Sequence, residues 1–204
     1  MTTSDAELLA AAGDPTVAWL ESCFGPGTLW RPEPGALPER LTSPRARRFL
    51  SEVGVPAVGL DFLGFDATDL PERGMWEADL DELFGGRTPD DDTPPSNWGY
   101  CVGTFDEWHL MVSGDTGTVR IYNADGWDHG RGYGGWAADS LPAVIGALAL
   151  LARLEERILE RDAGAALDEF AALVAELGQG PDESDLWVRL LENLREEYED
   201  PDEG

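Results

Sequence analysis

The alternation of apolar and polar positions is sharpest between Trp98 and Tyr122. Trp108, Leu110 and Val112 alternate with Glu107, His109 and Met111, and Val119 and Ile121 alternate with Thr118, Arg120 and Tyr122. That is the period of half-buried strands. Tyr100 to Thr104 reads as a preceding strand, broken at Phe105-Asp106. Gly114-Asp115-Thr116-Gly117 reads as a turn, because Gly and Asp tolerate the backbone that reverses a strand. The pattern therefore predicts a three-stranded meander. A glycine-rich loop from Asp125 to Gly135 leads to Ser140-Leu141-Pro142 and an apolar helix.

Helical spacing recurs on both sides of the meander. Upstream, Asp14 and Pro15 open a short helix that runs to Cys23. Ser43 caps a second helix, with Pro44 at its first position, Ala46, Phe49, Leu50 and Val53 as its stripe and Gly54 as its stop. Leu60 to Phe65 reads as a strand, and Trp76 to Phe84 as a short helix. Downstream, three stripes follow: Leu141, Val144, Ile145, Leu148, Ala152 and Ile158; then Leu167, Phe170, Val174 and Leu177; then Trp187, Leu190, Leu191, Leu194 and Tyr198. Such stripes are core faces.

These elements predict an α+β fold, with an antiparallel or mixed sheet of about four to six strands, packed helices and a C-terminal helical extension. A helix-rich domain holding only the meander is the runner-up. The chain divides into an N-terminal helix and Pro/Gly-rich connector over 1–39, an α+β domain over 40–162, and an acidic helical extension over 163–204 packed on the domain.

Charge changes the picture. The 204 residues carry 41 acids against 14 bases, a net charge of −27, and every base is arginine. Nucleic acid is excluded as a partner because phosphate binding needs a basic footprint. An anionic membrane surface would repel the chain. The natural complement is a basic protein. Adaptation to high salt would also explain the acid, although eight tryptophans fit such a surface poorly. The acid is densest from Glu77 to Asp92, with Asp90, Asp91 and Asp92 as its sharpest point, and again beyond residue 163. Arg45, Arg47 and Arg48 form the main basic spot and read as a solvated helix face.

Candidate chemistry narrows the classes further. Asp128 and His129 are a carboxylate beside an imidazole, but adjacent residues rarely face each other and no nucleophile motif accompanies them. Asn123, Asp125 and Asp128 lack calcium-loop spacing. No catalytic residue, metal site or cofactor is expected. Cys23 and Cys101 are far apart and fit a reducing cytoplasm. Met1 to Asp14 lacks the basic start of a signal peptide, and Val144 to Leu154 is too short to span a membrane.

Aromatic residues cluster around the meander and its loop. Trp98 and Trp108 are expected to fill the core. Trp127, Tyr133 and Trp136 sit among glycines and charged residues, where full burial is hard to arrange. With Asp90, Asp91, Asp92, Asp125 and Asp128 they form the expected partner-binding set, since aromatic anchors ringed by carboxylates suit a basic partner.

Three motifs carry a resemblance to a known family. Leu41-Thr42-Ser43-Pro44 through Val53-Gly54-Val55-Pro56 looks like an opening helix with a Gly-hydrophobic-Pro exit. Gly114-Asp115-Thr116-Gly117-Thr118-Val119 looks like a hairpin in which Asp and a Thr-Gly pair precede a valine. Asp139-Ser140-Leu141-Pro142-Ala143-Val144 looks like a serine-led start of the last helix. Together they resemble the SUKH superfamily of bacterial immunity proteins, closest to its fourth subfamily, over roughly residues 40 to 160. Ala138-Asp139 departs from the family, which often has Asn before the serine.

The resemblance implies a non-enzymatic protein that binds and neutralises a cognate toxin of a polymorphic toxin system in the cytoplasm. A basic toxin, of the kind that acts on nucleic acid, would suit the charge. The same superfamily includes adaptor and scaffold proteins, so a resident cellular partner is the alternative. Oligomeric state is not implied.

Overall fold

A computed structural model describes residues 4–88, 90–125, 132–160, 162–180 and 182–198. The chain opens with α1 (Asp5–Gly13), started by a capping box in which Ser4 and Glu7 satisfy each other's backbone N–H. Next comes α2 (Val17–Phe24). It starts two residues later than expected because Thr16, not Asp14, caps it by accepting the Trp19 N–H. A two-stranded ribbon then joins β1 (Leu29–Trp30) to β2 (Val55–Pro56). Between them lies α3 (Pro44–Arg48), capped by Ser43 as expected, which continues as a π-helical turn over Phe49–Val53.

The expected strand from Leu60 to Phe65 is in fact a small hairpin. β3 (Gly59–Leu60) and β4 (Phe65–Asp66) are joined by a 3-10 turn that exits through left-handed Gly64. A short α4 (Leu70–Arg73) follows. The expected helix over Trp76–Phe84 splits into strand β5 (Trp76–Asp79) and one helical turn, α5 (Leu80–Leu83). Pairing with the next strand overrides the helix-forming side chains of Glu77 and Ala78, and Asp79 ends the strand by capping α5 at the Asp81 N–H.

The meander is present as β6 (Trp98–Phe105), β7 (Trp108–Ser113) and β8 (Val119–Asn123). A fourth strand, β9 (Tyr133–Ala138), occupies a stretch expected to be partly loop. The main sheet is antiparallel throughout, in the order β3-β4-β6-β7-β8-β9, with β5 also paired to β6. Among the described residues its seven strands pass the expected four to six because the single strand at 60–65 becomes two and both β5 and β9 join the sheet. The fold class is the expected α+β.

Among the described residues four helices follow: α6 (Leu141–Ala152), α7 (Glu155–Glu160), α8 (Ala163–Glu176) and α9 (Asp185–Tyr198). They lie with α1 and α2 on one face of the sheet. There Tyr100, Val102, Leu110, Val112, Val119 and Ile121 join one continuous core with Leu148, Leu167, Phe170 and Trp187. α6 is buried almost all round, and α1 crosses it at Gly146, where a Cβ would run into the Ala12 carbonyl. Among the described residues the fully buried tryptophan is Trp187. Trp98 and Trp108, expected in the core, are only partly buried, with Arg40 over the Trp98 ring at 4.2 Å and Arg189 over Trp108 at 5.4 Å.

Candidate partner-binding face

Among the described residues the opposite face of the sheet carries no long helix. α5 covers part of it, packing Leu80, Leu83 and Phe84 over Cys101, Met111 and Tyr122. Strand pairing decides what lies beside that cover. Thr104 pairs His109, His109 pairs Tyr122, and Tyr122 pairs Tyr133, so these side chains share the outer face. Trp76 reaches the same row from β5, where it pairs Cys101.

The result is a row of rings across four strands. Trp76 meets His109 edge-on at 5.7 Å and Tyr122 at 6.1 Å, and His109 meets Tyr122 at 5.4 Å. Phe84 extends the row by meeting Tyr133 edge-on at 5.3 Å, with the Arg120 guanidinium over Phe84 at 5.8 Å. Trp76 and Tyr133 keep 47% and 48% of their surface exposed. Burial pushes the His109 pKa down, which favours its uncharged ring, and burial pushes the Tyr122 hydroxyl up.

Exposed carboxylates lie on two neighbouring segments of the chain. Asp90, Asp91 and Asp92 are exposed on the segment that follows Phe84. That segment is tied down by Arg87, which pairs with buried Asp79 at 2.7 Å and donates to the Asp91 and Thr93 carbonyls. Bonds from Thr93 hold the Asp91 pKa below the usual range. Asp125 is exposed just past the end of β8, where Asn123 pairs Trp108. Its carboxylate reaches Glu107, whose pKa it pushes up, with Asp106 adding to the repulsion.

Of the eight residues expected to bind a partner, Tyr133 lies on the aromatic row, Asp90, Asp91 and Asp92 are exposed on the segment beyond Phe84, and Asp125 is exposed past the end of β8 beside Glu107. Trp127 and Asp128 fall outside the described residues. Trp136 is half-buried on β9, opposite Arg120, with its N–H given to Asp185 at 2.6 Å. Sequence reasoning missed Trp76, Phe84 and Tyr122 as members of this surface. His109 and Tyr122 alternate with apolar positions along their strands, which was the one available signal. Among the described residues no group of three or more His, Cys, Asp or Glu is placed to hold a metal ion. No described helix is long and apolar enough to cross a membrane.

Exposed rings with polar groups at the margin are a composition found at protein interfaces. The comparison with protein families gives the class of the chain. A model of the SUKH-4 immunity protein family matches residues 16–197, and the chain belongs to that family. The match takes in α2, α8 and α9 as well as the sheet, a wider span than the motifs alone suggested. The family is one of immunity proteins, which are generally non-catalytic. No curated protein and no solved structure matches the chain.

Proposed function

We propose that this chain neutralises a cognate toxin with a basic surface by seating it on the outer face of the sheet, and that the encounter takes place in the cytoplasm. The observation that carries the reading is the row Trp76, His109, Tyr122 and Tyr133, whose Trp76 and Tyr133 stand about half exposed, on a chain of net charge −27. Rigid rings supply contact area at little entropic loss, and desolvated aromatic anchors dominate binding energy at interfaces. The acids at Asp90–Asp92 and Asp125 steer a cationic partner toward those anchors. A toxin that handles nucleic acid presents such a cationic surface, and an acidic inhibitor occludes it as the substrate backbone would. Both cysteines are unpaired, which suits a reducing compartment.

The test is growth rescue. The toxin is captured from the producing cell with the tagged chain, identified by mass spectrometry, and expressed from an inducible promoter in a naive host. Co-expression of the wild-type chain should restore growth, and the double variant Trp76→Ala/Tyr133→Ala should not. Growth arrest that the wild-type chain fails to relieve overturns the proposal.

A further inference from the structure

β4 and β5 pair with the same edge of β6, but at opposite ends. β5 takes Trp98 to Cys101, and β4 takes Thr104 and Phe105. Val102 and Gly103 lie between them, where the β6–β7 register also shifts. A sheet that loses one neighbour for two residues and bulges there leaves a notch. The notch is real space, a cavity of about 530 Å³ at one end of the aromatic row. Ala67, Leu70 and Met75 give it an apolar lining, and Trp76 and His109 form a wall of two rings meeting edge-on.

The rim is polar and negative. Asp66 accepts from the Thr68 N–H at 2.8 Å and the Thr68 hydroxyl at 2.7 Å, both through Oδ1. These bonds keep its pKa below the usual range and leave Oδ2 without a donor among the described residues. Asp69 faces the same opening and already holds a guanidinium, that of Arg73, at 2.9 Å in an exposed pair. Such a pair contributes little and opens easily.

We infer that this notch receives an arginine side chain of the toxin, an inference that rests on the immunity reading above. Three features select that occupant. A neutral π wall attracts a planar cation, and Trp is the strongest such surface. The free Asp66 oxygen offers a charge-assisted bond at the mouth. The apolar lining accommodates the methylene stem that an arginine carries behind its charged head. His109 is part of the wall because burial favours its uncharged ring; a protonated imidazole would repel the guest.

Nuclear magnetic resonance with N-acetyl-argininamide as probe and N-acetyl-citrullinamide as its uncharged twin tests the chemistry. The Trp76 indole N–H, identified by its loss in Trp76→Phe, and the His109 ring protons should shift saturably at millimolar arginine probe. The citrulline twin should move them at least fivefold less. Asp66→Asn should weaken the response threefold or more, and replacing Glu33 and Glu39, exposed acids outside the notch, together by Gln should leave it unchanged. Equal response to the two probes overturns the inference, as does a response that the Glu33/Glu39 variant lowers as much as Asp66→Asn. Growth rescue separates the two readings. Rescue by the wild type together with equal rescue by both Trp76→Ala and Asp66→Asn removes the notch and keeps the immunity role, whereas no rescue by the wild type removes the role itself.

Discussion

The Asp185 carboxylate accepts the Trp136 backbone N–H at 2.6 Å, so a side chain from α9 pairs with the last strand of the sheet. The next residue back, Ser184, donates its hydroxyl to the Ala137 carbonyl at 2.8 Å. An edge strand otherwise presents a row of unpaired groups to any passing chain. Here two consecutive side chains of the helical extension cover the end of that edge. Gly135 is what lets them in: a Cβ there would lie 2.5 Å from the Asp185 Cβ, and its φ of +122° is one that few side chains tolerate.

Asp185→Ala should therefore lower stability by about 1 kcal/mol, the usual loss for one such bond at a partly solvated site. The Trp136 amide should exchange its hydrogen markedly faster in the same variant. Urea unfolding and hydrogen exchange read the two effects. Unchanged exchange at Trp136 would show that the strand edge does not depend on α9.

Arg87 holds the acidic segment to the sheet. Its side chain is 15% exposed and that of its partner Asp79 only 5%. Arg87→Ala strands a buried carboxylate and frees the Asp91 and Thr93 carbonyls, so the variant should lose about 3 kcal/mol. Replacing Asp90, Asp91 and Asp92 together by Asn should leave stability unchanged within about 0.5 kcal/mol, because they are exposed. The same triple change should weaken toxin binding, read by titration calorimetry. A triple variant that binds as tightly as the wild type would take the acidic segment out of the interface.

Charge predicts kinetics as well. Association with the captured toxin should slow about tenfold or more between low and physiological salt, while dissociation changes little, because screening shortens the reach of steering. Stopped-flow mixing measures both rates. An association rate indifferent to salt would show that the net −27 does not guide the encounter.

Local alternation made the meander legible, since each of β6, β7 and β8 carries its own pattern. It failed where strand character is imposed from outside. Trp76-Glu77-Ala78-Asp79 reads as helix because Glu and Ala favour helices, yet pairing with Trp98 to Cys101 makes it a strand. Gly99 is part of the reason: a Cβ there would collide with the Leu80 side chain, so a larger residue would push α5 off the sheet. β9 was hidden for the opposite cause, because Gly134, Gly135, Ala137 and Ala138 show no alternation and owe their pairing to β8 and to α9. The site was half legible. Its acidity could be counted, but its aromatic row could not, since Trp76, His109, Tyr122 and Tyr133 come from four strands that only the sheet order brings together.

His109 gives that row a pH dependence. Its ring lies against Trp76 and Tyr122 and opposite Thr104, and burial sets its folded pKa below the ordinary 6.5. Backbone contacts at Glu107 and Tyr122 oppose that shift without cancelling it. The unfolded chain therefore binds a proton more readily than the folded one, and stability rises with pH across this window. The contribution is fully present above pH 6.5 and is lost as pH falls through the lowered folded value. Thermal melts at pH 7.5, 6.5 and 5.5 should show the wild type losing stability toward the acid end, and His109→Phe losing less of it. Toxin binding should weaken over the same range in the wild type, since a charged imidazole in the ring wall repels a basic partner. Parallel pH profiles for the wild type and His109→Phe, in both melting and binding, would remove His109 from the mechanism.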